Sequence, residues 1–255
     1  MSITVTARGV VKAFDGRPVL RGVDLDVPEG QSTVLVGPSS GGKSVLLKCL
    51  LGLMPMEGGS VRFGDTDLAS LDKSGLEQLM RGIGVLFQQN ALFDSLSVWE
   101  NVAFTLIHGH GMARRTARQR AADVLVSVGL GPEVADLSPA ELSGGMQKRV
   151  ALGRAIAAEP RFLVLDDPTA GLDPILTGAI VALIRGAIER TGTTALTVTS
   201  DMDIARRSFD RLAMLHEGAI LWQGATADID ESGNAYLDQL VNQRAEGPIH
   251  VHTTA

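Results

Sequence analysis

A run of eight residues, Gly37-Pro38-Ser39-Ser40-Gly41-Gly42-Lys43-Ser44, narrows the folds open to this chain more than any other feature. It matches G-x-x-x-x-G-K-[ST], follows an apolar β-rich stretch (residues 30–36) and precedes a stretch with helical character (residues 43–53). Strand, glycine loop and helix form the context in which backbone N–H groups converge on phosphate oxygens, helped by the N-terminus of the helix. Ordinary residue frequencies produce such a string by chance in roughly one chain in a hundred of this length, and the flanking elements make coincidence rarer still. Lys43 is then expected to reach the β- and γ-phosphates and Ser44 to ligate magnesium, with Gly37, Pro38, Ser39, Ser40, Gly41, Gly42 and Val45 around the phosphates.

Two further strings belong with that loop. Phe162-Leu163-Val164-Leu165-Asp166-Asp167 reads as a buried strand ending in carboxylates, where such ATPases hold magnesium and activate water. Asp166 is expected to orient the metal's water shell, and Asp167 stands where a general base belongs. Upstream, Leu142-Ser143-Gly144-Gly145-Met146-Gln147 opens a helix (residues 144–158) whose first N–H groups lack partners within the helix.

This order of elements resembles the ATPase domains of ABC transporters, from about residue 3 to residue 243. The resemblance implies an α/β P-loop fold with an antiparallel β subdomain and a helical subdomain near residues 97–142, followed by a tail, 244–255, that contacts a partner. It implies that the Leu142–Gln147 loop closes over ATP held by a second ATPase subunit, in a homodimer or a heterodimer. Phe14 stands where the family stacks an aromatic on adenine. Gln88 resembles the glutamine that touches magnesium and links the site to the transmembrane permease. Ala170-Gly171-Leu172-Asp173 resembles the D-loop, which contacts the opposite site through Asp173, and Ser200 takes the place of the switch histidine. ATP and Mg2+ are the implied ligands. The strings KSVLLKCLLGLM, LFQQNALFDSLSVWENVAF and ELSGGMQKRVALGRAIA, with the C-terminal QLVNQRAEGPI, look like the Mla or Mkl group of lipid-transport ATPases. That group works with permease, MCE-domain and small accessory proteins. The alternatives are an importer ATPase for a small polar solute, a non-transport ABC clamp on DNA or ribosomes, and a nucleotide-binding pseudo-ATPase.

Three positions depart from the family pattern. Ser40 replaces a glycine, which strains the loop if φ is positive there. Asp167 replaces the usual glutamate and retracts the carboxylate by one methylene, and a misplacement on the order of 1 Å can cost about a hundredfold in rate. Ser200 shortens the reach to the γ-phosphate; losing a hydrogen bond to a charged group costs roughly 1.5–3 kcal/mol. Asp167 and Ser200 together point to a chain that binds Mg-ATP well and hydrolyses it slowly.

Composition excludes other classes. With 23 basic and 29 acidic side chains the net charge is −6, and no basic stripe suits a nucleic acid. The single cysteine, Cys49, allows no internal disulfide and reads as a small buried hydrophobe. The first residues, MSITVTARGVVKAF, lack the basic and apolar regions of a signal peptide, and the apolar runs fall short of the roughly 20 residues a spanning helix needs. A cytoplasmic protein, peripheral on the inner membrane through its permease, is expected. His108 with His110 and His250 with His252 lack a third metal ligand nearby in sequence. Residues 59–63, 82–87 and 193–199 read as strands, 98–107, 113–128 and 174–190 as helices, and 211–216 with 219–222 as a hairpin about Glu217-Gly218. The basic start of the helix at 113–128 reads as a solvated face, and the tail from Arg244 as weakly structured.

Overall fold

The computed structural model of the protein describes residues 2–39, 41–88 and 91–250. The chain opens with a hairpin of β1 (Val5–Phe14) and β2 (Arg17–Val27). Both turn residues, Asp15 and Gly16, have positive φ (50° and 76°), the backbone a two-residue type I′ turn needs and Asp-Gly readily supplies. The fully buried β3 (Ser32–Val36) then runs through the glycine loop into α1 (Lys43–Leu50). β4 (Gly58–Phe63) and β5 (Thr66–Asp67) return to the hairpin and complete an antiparallel sheet in the order β2-β1-β4-β5. The sequence reading expects this antiparallel unit but places only residues 59–63 in it. The Asp-Gly turn and the alternating burial of β1 and β2 are the signals that define the rest.

The remaining elements are α2 (Lys73–Arg81), β6 (Ile83–Leu86), α3 (Val98–Phe104), α4 (Arg114–Ser127), α5 (Gly144–Ile156), β7 (Phe162–Asp166), α6 (Pro174–Thr191), β8 (Thr194–Val198), α7 (Met202–Ser208), β9 (Arg211–His216), β10 (Ala219–Ala225) and α8 (Ala235–Val241). Six strands form a second sheet in the order β10-β9-β3-β8-β7-β6, parallel from β9 to β6, with β10 antiparallel at the edge. β3 and β8 are buried at every position, as parallel strands covered on both faces are, with Ser32, Thr33, Thr194 and Thr197 buried among their apolar residues. One core lies between the two sheets and around α1, and a second joins α3, α4, α5 and α6 to β6 and β7. A third packs α7 and α8 under β3 and β9. α2, α7 and α8 start at the N-caps Asp72, Asp201 and Asn234, whose side chains accept from the Gly75, Ile204 and Tyr236 N–H groups.

Three local expectations change. The helix expected to run to residue 107 ends at Phe104 and continues as a wider π-turn, Thr105–Gly109. That turn keeps Leu106 in the core while the Phe104 ring packs between Phe93 (4.4 Å) and His108 (4.7 Å). The arginines of α4 are not simply solvated: Arg114 pairs with Glu100, Arg118 with Asp136 and Arg120 with Glu159. Arg114 and Arg118 also lie 5.1 and 5.3 Å from the Trp99 ring centre. The tail forms no helix or strand between Arg244 and His250, yet it is clasped. The Gln239 amide donates to the carbonyls of Arg244 and Ile249 and accepts from the Ile249 N–H at 2.7 Å.

α5 meets β6 without an intervening side chain, because a Cβ on Gly84 would stand 2.1 Å from the Ala155 carbonyl oxygen. Its neighbour α3 begins with a capping box in which Glu100 accepts from both the N–H and the hydroxyl of Ser97. The Arg114 guanidinium, then the Ser97 N–H and hydroxyl, hold the Glu100 carboxyl down at about 2. A depressed carboxyl stabilises the fold above its unfolded value and stops doing so as pH falls through the folded one. Glu100→Gln keeps a capping oxygen but loses the ion pair, and should cost about 0.5–1 kcal/mol at pH 7, or roughly 1–4 °C in melting temperature. Melting curves between pH 7 and pH 3 check this, since the gap from the parent protein should narrow below pH 4.5.

Candidate nucleotide site

The parallel pairing brings distant strings to one edge. Val198 of β8 pairs with Leu35 of β3 on one side and with Asp166 of β7 on the other. The glycine loop, the two aspartates and the Thr199-Ser200 turn therefore leave the sheet at the same height. β6 ends beside β7, with Leu86 opposite Leu165, and delivers the exposed Gln88 to the same edge. Ligands of open α/β sheets bind outside the carboxyl ends of such strands.

The loop itself is built by exclusion. Gly37 has φ 149°, and a Cβ there would lie 2.0 Å from the Leu215 carbonyl oxygen of β9. Gly42, at φ 97°, caps α1 in a left-handed conformation with no side-chain cap, so the first N–H groups of the helix keep no side-chain partner. Lys43 Nζ donates to the carbonyls of Gly37 and Pro38, both at 2.8 Å, and so spans the loop from inside. The Val45 side chain turns into the core, leaving only its backbone for a phosphate. Ser40 lies outside the described residues.

Charge in the site is half-buried and only partly compensated. Burial, then the neighbouring Asp167, pushes the Asp166 carboxyl up; a hydrogen bond from Ser44, with Lys43 and Lys48, opposes this. Burial likewise raises Asp167, opposed by Lys148 and Lys43 and reinforced by Asp201. Burial lowers Lys43 while the two aspartates pull the other way. A hydroxyl and a carboxylate already joined across the end of the loop are hard oxygen donors of the kind Mg2+ takes, and its charge would relieve the raised carboxyls. Asp167 adopts φ 48°, a left-handed backbone that aspartate tolerates better than most residues. Lys148, a buried ammonium on α5 coupled to Asp167, escapes the sequence reading. Its signal there is a lysine on an otherwise apolar helix face.

On the outer rim, Ser143 caps α5 by accepting from the Met146 N–H at 3.3 Å, and Ser143 and Gly144 are exposed with Gly145 half-buried. Leu142 and Gln147 do not face outward with them. Leu142 is buried in the helical core, and the Gln147 amide donates to the Pro139 carbonyl at 3.0 Å, shaping the loop from behind. Asp173 accepts from the Ile175 and Leu176 N–H groups and so caps α6 within its own chain. Leu176 in turn borders Gly145, bringing the two rim segments together. Phe14 is partly exposed at the hairpin end, and Ser200 is exposed beyond β8. His108 packs on Phe104; His250 lines a cleft beside Pro38 and Ser39, and His252 lies outside the described residues.

Gly37→Ala should strain the loop against Leu215 by roughly 1–3 kcal/mol, lowering the melting temperature by about 2–10 °C and weakening nucleoside triphosphate binding at least tenfold. Calorimetric titration with ATP and a thermal melt check both effects.

The family model described as ABC transporter matches residues 20–170. The Arabidopsis thaliana protein TRIGALACTOSYLDIACYLGLYCEROL 3, chloroplastic, is 38% identical over 97% of this chain and 76% of its own length. The probable ribonucleotide transport ATP-binding protein mkl of Mycobacterium leprae is 35% identical over 98% of this chain and 72% of its own length. The methionine import ATP-binding protein MetN of Thermobifida fusca is 39% identical over 86% of this chain and 68% of its own length. Among solved structures, the dimeric ATP-binding cassette MJ0796 in a post-hydrolysis state bound to ADP and Pi superposes with a TM-score of 0.80 at 31% identity, covering 87% of this chain and 98% of that one. The cbiO1 subunit of the Clostridium perfringens cbiONQ complex gives 0.81 at 27% identity, covering 96% of both chains. With its glycine loop, paired aspartates and Ser143–Gly145 rim on one α/β frame, this chain belongs to the ABC transporter family as an ATP-binding, ATP-hydrolysing subunit.

Proposed function

We propose that this chain drives a transporter that moves phospholipid or a related lipid, working as one half of an ATP-sandwiching dimer beneath a permease with MCE-domain and accessory partners. The coverage of the relatives carries the lipid reading. The Arabidopsis protein, whose name is that of a glycolipid, and the mycobacterial proteins align over 97–98% of this chain, whereas the Thermobifida methionine importer aligns over 86%. The mycobacterial name refers to ribonucleotides and the MetN name to methionine, which keeps an importer for a small polar solute as the second reading. A permease gene beside an MCE-domain gene is the expected neighbourhood; a periplasmic sugar- or amino-acid-binding protein gene there instead would overturn the lipid reading.

In the proposed cycle the ATPase domain spans residues 1–243, with a helical subdomain at about 97–142, and residues 244–255 form a tail that contacts a partner. Lys43 leaves the Gly37 and Pro38 carbonyls to hold the β- and γ-phosphates, and Phe14 stacks on the base. Ser44, Asp166 and Gln88 would hold Mg2+, which when bound neutralises developing phosphate charge. Asp167 takes a proton from the attacking water as the bond to the ADP oxygen breaks, and Ser200 orients the γ-phosphate. The N–H groups of Gly144 and Gly145 at the start of α5, flanked by Ser143 and Met146, face the nucleotide of the opposing subunit, and Asp173 approaches the same interface. Next to Gln88, a cleft of about 360 Å³ lined by Val85, Phe87, Phe93 and Phe104 suits an apolar segment of the permease. No helix among the described residues is long and apolar enough to cross a membrane, so the permease supplies the membrane contact.

Asp167 and Ser200 both shorten the reach toward the γ-phosphate, which favours slow hydrolysis with intact binding. Asp167→Glu with Ser200→His should raise turnover of the purified complex about tenfold or more while ATP affinity stays within about twofold. Unchanged or lower turnover sinks the slow-hydrolysis reading.

A further inference from the structure

An exposed ring at the end of a hairpin samples several rotamers, and a platform that must be ordered on binding weakens its ligand. Phe14 is such a ring, 42% exposed beside the Asp15-Gly16 turn. The structure holds it from behind. Lys12 is only 7% exposed, and its ammonium lies 5.3 Å from the centre of the Phe14 ring. The same ammonium donates a 2.7 Å hydrogen bond to Glu57 Oε1. Glu57 Oε2 accepts from the Ala13 N–H at 3.0 Å, and the Glu57 N–H donates to the Val11 carbonyl at 3.0 Å. One residue therefore grips three successive positions of β1 directly before the ring.

A buried ammonium needs compensation, and here a carboxylate and an aromatic face supply it together. The ring is held with one face toward Lys12 and stays 42% exposed. The hairpin is also tied to the phosphate loop: a Cβ on Gly42 would meet Leu20 Cδ2 at 3.1 Å and Val19 Cγ1 at 3.3 Å. Ring and phosphate loop thus keep a fixed relation through β2.

We propose that Lys12 and Glu57 are positioning residues for nucleotide binding, holding Phe14 as a one-faced platform for the base of a nucleoside triphosphate. This rests on the assignment of Phe14 to base stacking and adds the pair that orders the ring.

Two ligands separate the effects: ATP, which uses platform and loop, and inorganic tripolyphosphate, which uses the loop alone. Both are titrated calorimetrically into the full chain with EDTA present, so that no turnover occurs. Phe14→Ala should weaken ATP about 5- to 100-fold, the range of base–aromatic stacking, and leave tripolyphosphate unchanged. Lys12→Met and Glu57→Gln should each weaken ATP about 3- to 10-fold with tripolyphosphate unchanged, and Lys12→Arg should return ATP to within about twofold of the parent. Lys12→Met combined with Phe14→Ala should bind ATP no more weakly than Phe14→Ala alone, because the lysine acts through the ring. If Phe14→Ala is sensitive while Lys12→Met and Glu57→Gln bind ATP normally, the positioning role is overturned and the platform stands. If Phe14→Ala binds ATP normally, the platform itself fails and the positioning role with it. Loss of tripolyphosphate binding in Lys12→Met would show a general structural role and also overturn the proposal.

Discussion

The pairing of Val198 with Leu35 on one side and Asp166 on the other is the constraint on which the site depends. The Asp167 N–H donates to the Val198 carbonyl at 3.0 Å, and the Thr199 N–H donates to the Leu35 carbonyl at 3.3 Å, so the register is locked past the strand ends. A slip of one residue in β8 would exchange its faces, moving Leu196 and Val198 out of the core between the sheets. A slip of β8 against β3 alone or β7 alone would also shift the glycine loop and the aspartates relative to one another by about 3.3 Å, more than phosphate chemistry tolerates. The buried apolar faces therefore do more than stabilise the domain. They set the height at which Lys43, Ser44, Asp166 and Asp167 meet.

The electrostatics follow from that height. Two carboxylates and an ammonium are brought together half out of water; burial displaces each from its ordinary value, Lys43 and the carboxylates draw one another back, and Asp167 pushes Asp166 further up. Lys43 meets the loop carbonyls and Ser44 meets Asp166, so the groups that would receive phosphate and metal are already oriented. α5 carries the arrangement outward. Lys148, one turn inside, is coupled to Asp167 of its own chain, whereas Ser143 and Gly144 at its start face solvent. The tight contact at Gly84 holds this helix against β6 and so relates the rim to the Gln88 segment.

The strings that announce the fold are those whose chemistry is local. A left-handed glycine before a lysine, an apolar strand ending in aspartate and a serine cap before two glycines each show in a few adjacent residues. The sequence therefore determined by itself the glycine loop, the buried parallel strands, the main helices and membership of an ATPase family. Tertiary structure decided which members of those strings are exposed. Leu142 and Gln147 belong to the signature in sequence but turn inward, because the helical core takes the leucine and the Pro139 carbonyl takes the amide. Asp173 is spent on capping α6. Lys12, Glu57 and Lys148 acquire meaning only from contacts across 45 or fewer residues of intervening chain, which no local pattern records. Cores and long-range hydrogen bonds depend on packing partners, and packing is a property of the assembled sheet rather than of any one segment of it.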